Sequence, residues 1–484
     1  MLADLGQHHA DVVELLLELR PVRLQHGHEG LQLRRGIGFG VVHPNQLQDL
    51  RQRQAQPLTA QRQLQARAVA LRIDLVATGA CRLEQAGVFL EADRTRRDIE
   101  FRGQLGDREA AAGAHVSRLQ AIDVDVNVNI GPAVNPSERE LHYPRADALP
   151  AVGATLEVAP GVRWLRMALP FALDHINLWL LRDRQDGVEG WTIVDCGIAN
   201  DATRAAWQQV FANELGGLPV LRVIVTHMHP DHIGLAHWLT EQWSCRLWIS
   251  ATDFNAARMA SQATTGFGGE RAAAFFASHG LTDPEAMAKV RARSNYYAGM
   301  VPQVPWQYRR LMDGMTLDIG GHAWRCIAGY GHAPEHIALH APALKLLISG
   351  DMVLPRISTN VSVYDLEPES DPLALFLVSL GRYEGLPADT LVLPSHGKPF
   401  TGLQARTRQL RQHHDDRLGE VIAACAERPC HAADLLPVLF KRQLDLHQTT
   451  FAMGESIAHL HALWHAGKLV RHADADGVWR FGKV

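Results

Sequence analysis

The sequence predicts an α/β fold of stacked layers, followed by a helical C-terminal module and preceded by a long stretch of low order. Three observations predict it. Between about residues 149 and 400, apolar runs of strand length alternate with segments of helical period. Several of these runs break into Gly- or Pro-marked turns that carry His or Asp, as in VTHMHPDHIG at 225–234, and such turns are where function concentrates in α/β architectures. Beyond residue 401 the pattern changes to three helical segments and a short hairpin.

The 484 residues are enough for several domains, and 46% apolar with 21% charged residues is the composition of a soluble globular protein. A formal net charge of −4 excludes a generally polyanion-binding surface. The N-terminus has neither a basic region ahead of an apolar core nor an uninterrupted apolar run of about 18 residues. The expectation is therefore a cytoplasmic protein with no membrane partner. Six cysteines are scattered without a C-x-x-C pair, which reads as reduced thiols. Cys196, beside Asp195 in IVDCG, is assigned to packing.

Residues 1–140 contain no Trp, Lys or Tyr and are rich in Gln and Arg at 44–66. Helical fragments at 11–19 and 58–71 have thin apolar faces, and IDVDVNVNI at 122–130 alternates like an isolated edge strand. Such a skew is also what an upstream non-coding frame of GC-rich DNA gives. The region is expected to be a poorly ordered or spurious extension, dispensable in a chain that starts near His142.

From Leu149 the elements follow in order. ATLEVAPGVRWLRM, INLWLLRD and WTIVDCG read as strands separated by turns such as Pro160-Gly161 and Asp186-Gly187. A helix at 201–215 buries Ala206, Val210, Phe211 and Leu215; the strand LRVIVT, a helix at 235–243 and the strand RLWIS come next. Residues 252–300 read as a helical insertion, and strands return in MTLDIGG, HAWRCIAGYG, HIALHAPALKLLISGD and TLVLPSHG. The α/β domain is placed at 149–400. Helices at 404–427, 432–442 and 454–465, then a hairpin turning at Asp474–Gly477, suggest a separate winged helix at 401–484.

Histidine is common here, 26 residues in all. Even so, H-x-H-x-D-H is expected by chance only roughly 0.004 times in such a chain. His227 and His229 lie two apart on extended backbone and point to one side, with Asp231 and His232 in the following turn. Three imidazoles and a carboxylate in one small volume are a ligand set for zinc and similar divalent metals. His332, Asp351 and His396 each end a further apolar run. His461 and His465 are an i, i+4 pair but have no visible third ligand.

This ordered set, with Asp195 and Gly197 in an upstream D-x-G, resembles the metallo-β-lactamase superfamily over about 149–400, and so implies its αββα sandwich. The resemblance implies two zinc ions per chain, other divalent metals being admissible. His227, His229 and His332 would hold one and Asp231, His232 and His396 the other, with Asp351 bridging. Asp195 would orient the site. Chemistry would run through a shared zinc-bound hydroxide, with Asp231 also the catalytic proton acceptor. His336 is assigned to fixing its loop; Arg356, Tyr296 and Tyr297 are assigned to substrate contact.

Having His232 after Asp231 looks like the glyoxalase II, lactonase and endoribonuclease branches more than the β-lactamases. The tail is similar to that of the β-lactamase-like 2 group, which contains an endoribonuclease. From residue 401 onward there are 11 Lys and Arg against 9 Asp and Glu, too balanced for a dedicated nucleic-acid reader. The tail is therefore read as a packing or homodimerisation element. The expected substrate is a small ester, thioester or lactone, with no nucleic-acid partner; a zinc-dependent endoribonuclease or phosphodiesterase is the alternative, and a non-catalytic binding protein ranks last.

Overall fold

The computed structural model describes residues 136–484 except 263–267, together with the paired strands Gln32–Arg34 and Phe39–Val41. Those two strands form a short antiparallel hairpin within a unit spanning 1–109, where strand pairing is not expected from the sequence. The fragments expected at 11–19, 58–71 and 122–130 lie outside the described residues.

The described residues from 136 onward lie in one compact unit. Its first sheet takes seven strands in chain order: β1 (Leu156–Ala159), β2 (Val162–Ala168), β3 (His175–Gln185), β4 (Val188–Val194), β5 (Val220–Ile224), β6 (Arg246–Ser250) and β7 (Tyr308–Leu311). Pairing is antiparallel as far as β4 and parallel from β4 to β7. Parallel neighbours need crossovers, and these carry α1 (Asp201–Asn213), α2 (Pro230–Ile233) and α3 (Ala236–Gln242), then α4 (Ala251–Gln262), α5 (Gly269–Ala277), α6 (Pro284–Ala292) and α7 (Tyr296–Met300). The start of α1 is fixed by Asn200, whose side chain accepts the Thr203 N–H.

The second sheet orders β8 (Thr316–Ile319), β9 (His322–Gly329), β10 (His336–Ala341), β11 (Leu346–Gly350) and β12 (Leu391–Pro394), parallel only between the last two. Between β11 and β12 runs α8 (Pro372–Leu380); after β12 come α9 (Leu403–Glu427), α10 (Ala432–Leu439), α11 (Leu446–His465) and the hairpin β13 (Leu469–Ala473) with β14 (Trp479–Lys483).

Alternation along the strands explains the layers. Trp164, Trp179, Val194, Ile224 and Trp248 face Trp324, Ile337, Ile348 and Leu393 of the second sheet, while their neighbours Leu165, Leu178, Ile193, Val223 and Leu247 face Trp207 and Leu239 in the helices outside. Strands apolar on both faces must be covered on both. The result is the helix–sheet–sheet–helix stack expected of the α/β region, the sheets meeting through tryptophan-rich faces.

Two boundaries differ from expectation. Leu403, Leu410, Leu435 and Ile457 belong to the same apolar core as Phe376, Val392 and Leu347, so the tail shares a core with the outer face of the second sheet instead of building its own. At the other end, Leu141 is buried in that core, Tyr143 packs on Phe400, and His142 pairs with Thr401. A chain starting near His142 would lose Leu141, so the core begins upstream of that point.

The sheets are also tied by a buried ion pair. Asp183 on β3 receives Arg222 from β5 at 2.8 Å and the Thr192 hydroxyl at 2.6 Å, and Arg222 donates onward to the Asp318 carbonyl. Burial pushes the Asp183 carboxyl up, but the Thr192 hydroxyl and the Arg222 guanidinium outweigh it and hold the group below its usual 3.8. Arg222→Ala should cost about 3–5 kcal/mol in urea unfolding, because it strands a buried carboxylate. A depressed folded value means that the carboxylate's stabilisation is complete above 3.8 and lost as pH falls through the lower folded value. The stability gap between wild type and Arg222→Ala should therefore be greatest where both carboxylates are ionised, narrow as the stranded carboxylate of the variant takes up a proton, and close fully only in strong acid.

Candidate metal centre

Each residue singled out for metal chemistry stands at the end of a strand on one edge of the sandwich. His227 and His229 follow β5, and Asp231 and His232 lie in α2, where Pro230 begins a helix too short to move them far. His332 follows β9, Asp351 follows β11 and His396 follows β12. They converge as two groups, His227, His229, His332 and Asp351 in one and Asp231, His232 and His396 in the other, with ligand atoms in each group within 4.8 Å of one another.

Asp351 joins the groups. Its Oδ2 lies 3.3 Å from His332 Nε2, and its Oδ1 lies 3.5 Å from both His232 Nε2 and His396 Nε2. Asp231 Oδ2 lies 3.4 Å from His396 Nε2.

The outer nitrogens of the rings decide what faces inward. His332 Nδ1 lies 2.7 Å from the Asn360 carbonyl and His396 Nδ1 2.7 Å from the His175 carbonyl; a carbonyl only accepts, so both Nδ1 atoms carry the proton and both Nε2 lone pairs point to the centre. His232 Nδ1 meets Asp195 Oδ2 at 2.8 Å. The Thr226 hydroxyl donates to the same carboxylate and so accepts from His227 Nδ1. Asp195 holds φ at 62° to do this, a left-handed conformation unusual for a residue other than glycine.

Lone pairs facing one another need a cation or a proton between them. Among the described residues, buried His232 Nε2 and Asp351 Oδ1 have no hydrogen-bond partner. Burial pushes His227 and His229 well below 6.5, the neutral form that ligates metals. His232 and His396 are lowered by burial but raised further by the carboxylates of Asp231, Asp195 and Asp351 around them. Asp351 is raised by burial and carried well below 3.8 by His396 and His232. Imidazole nitrogens and carboxylate oxygens in two sets of this size fit two borderline divalent ions.

A buried carboxylate not singled out from the sequence supports the loops. Asp253, in α4, accepts the N–H of Met228 at 2.8 Å and that of Glu335 at 2.6 Å. Met228 sits between His227 and His229, and Glu335 follows the His332 turn. The Ser250 hydroxyl donates to the same side chain. The only sequence signal was an acidic residue at the start of a helix directly after a strand.

Other assignments divide. His336 is fully buried, its ring 5.0 Å from that of His227, and the Asp351 N–H points to its Nε2 at 3.2 Å. It also fills the space where a Cβ on Gly350 would stand, at 2.0 Å. Its contacts are with the strand end that carries Asp351. Tyr296 borders the cavity over the ligands. Tyr297 does not: it is buried and donates its hydroxyl to the Met228 carbonyl at 2.5 Å. Arg356 also stands away from the cavity, pairing with Glu138 at 3.1 Å. Cys196 is buried in the core, as assigned.

The clustered residues open into a cavity of ≈ 250 Å³, bordered by His229, Asp231, His332, Asp351 and His396 on one side and largely by apolar side chains elsewhere. Among the described residues no helix is long and apolar enough to cross a membrane.

Residues 172–396, which contain all seven clustered residues, match the family model of the metallo-beta-lactamase superfamily. The crystal structure of a beta-lactamase domain protein from Burkholderia ambifaria is 58% identical, with a TM-score of 0.69, and the match covers 72% of this chain and all of that one. The chain belongs to the metallo-beta-lactamase superfamily. Residues 418–484 match the C-terminal domain of metallo-beta-lactamase-like proteins. Among curated superfamily relatives, the probable metallo-hydrolase YqjP of Bacillus subtilis is 25% identical over 62% of this chain and 91% of its own length. A hydroxyacylglutathione hydrolase of Hyphomonas neptunium is 26% identical over 33% of this chain and 62% of its own. This superfamily member is a hydrolase enzyme of the metallo-hydrolase type.

Asp253→Ala should leave the buried Met228 N–H without an acceptor, at about 1–3 kcal/mol, and the part-buried Glu335 N–H likewise at less. Chemical denaturation measures the loss, and hydrogen exchange should locate it in faster-exchanging Met228 and Glu335 amides.

Proposed function

We propose that the chain is a dinuclear zinc hydrolase of small esters, thioesters or lactones. The observation that carries this reading is the cavity, small and mainly apolar, with five clustered His and Asp side chains along one wall. Ligand clefts run from about 300 Å³ upward, so a cavity of ≈ 250 Å³ suits an acyl group better than a polymer backbone. Hydrolysis of hydroxyacylglutathione, in the name of one relative, is thioester chemistry of this kind.

His227, His229 and His332 would hold one ion, Asp231, His232 and His396 the other, and Asp351 both. Two divalent ions supply Lewis acidity and ease the loss of a proton from water near neutral pH. The protein's own residues do the rest. Asp195 and the carbonyls of Asn360 and His175 fix the imidazole tautomers. Asp231, partly exposed to the cavity, receives the proton from the attacking water. The apolar walls exclude bulk water from the reacting carbonyl.

Purified protein should contain about two divalent ions per chain, and Asp351→Ala should lose at least one by elemental analysis. Wild type should hydrolyse short thioesters or lactones, and Asp351→Ala and His229→Ala should each fall on the order of 100-fold or more in kcat/KM. RNA cleavage should be weak and drop steeply with salt. Efficient RNA cleavage at physiological salt with no acyl turnover overturns the reading in favour of a phosphodiesterase.

A further inference from the structure

The wall of the cavity facing the ligands comes from the far end of the chain. Phe440, Arg442 and Leu444 border it at every second position, the period of extended backbone. Gln448, Phe451, Ala452 and Glu455 border it at i, i+3, i+4 and i+7, one face of α11. The opposite face of α11, with Met453, Ile457 and Leu460, is in the shared core. The helix is also seated on the metal centre's own support. Gly454 lies so close to Ser362 that a Cβ would stand 2.7 Å from the Ser362 Cβ, and its carbonyl accepts the Val363 N–H. Ser362 in turn bonds the Asn360 side chain, and the Asn360 carbonyl orients His332.

Glu455 is the acidic residue on this helical face. It is only 7% exposed, borders the cavity, and its carboxylate makes no hydrogen bond or ion pair among the described residues. Arg417, the cation that influences it, is instead paired with Glu420 at 2.8 Å. Burial raises the Glu455 carboxyl to about 7, with Arg417 acting against it. Keeping an unpaired carboxyl there costs stability that an apolar residue would return.

We infer that residues 440–455 are the specificity wall of the enzyme. They receive an apolar acyl group that bears a hydrogen-bond donor, a hydroxyl or an amine, and Glu455 is the residue that recognises the donor. This rests on the acyl-hydrolase reading above and adds the substrate class.

The test compares thioesters of acetate, hexanoate, the hydroxyhexanoates and 6-aminohexanoate on the metal-loaded full chain. Hexanoyl should be preferred to acetyl, and at least one donor-bearing chain should beat hexanoyl about 10- to 100-fold in KM; hydroxy and amino arms separate the two donors. Glu455→Leu should erase that gain while melting no lower than wild type, Glu455→Gln should keep part of it, and Phe451→Ala should erase the chain-length preference. Unchanged preferences in Glu455→Leu overturn the inference, as does a lowered melt with preferences intact; if Leu does not fold, unchanged preferences in Gln and Phe451→Ala do the same. Should no thioester be turned over, the acyl-hydrolase reading fails, and calorimetry with the free acids decides this one separately: tighter binding of a hydroxy or amino acid than of hexanoate, lost in Glu455→Leu, supports the wall, and its absence overturns it.

Discussion

The structure turns on the Asp351 carboxylate, whose two oxygens face two different sets of imidazoles. That arrangement exists only if the ends of β5, β9, β11 and β12 are level. Backbone hydrogen bonds hold them so: Ile337 N–H to the Thr226 carbonyl and Asn177 N–H to the Ser395 carbonyl stitch one sheet to the other, and Cys196 N–H to the His232 carbonyl closes the loop after β4 onto α2. Each bond contributes modestly, but none crosses a flexible side chain. The tryptophan-rich interior between the sheets sets the spacing, and the backbone stitches set the register.

Much of this was legible in the sequence because the clustered residues stand out. His227, His229, Asp231 and His232 are close in the chain, and His332, Asp351 and His396 each stop an apolar run. The alternating strands and the helices between them were legible for the same reason, since burial on both faces leaves a continuous apolar signature. Residues that act through backbone were not. Asp253 matters because two distant N–H groups arrive at it, which no local pattern encodes.

Neighbouring residues also mislead when their elements turn. Tyr296 and Tyr297 share one short helix, where successive side chains diverge; one meets the cavity and the other the interior. Arg356 is five residues from a ligand in the chain, yet its charge is taken by Glu138, far upstream. The tail reads as an independent module because its helices have their own period. Where an amphipathic face docks is a tertiary matter, and here it docks on the second sheet.

That shared core has a consequence for how the protein comes into being. The clustered His and Asp residues are complete by His396, but the wall opposite them ends at Glu455, which is synthesised after all of them. A nascent chain that has emerged through His396 holds all seven clustered residues and an open flank, with apolar surface of the second sheet still waiting for α9 to α11. In this order of emergence the clustered residues are all present before the wall that encloses them.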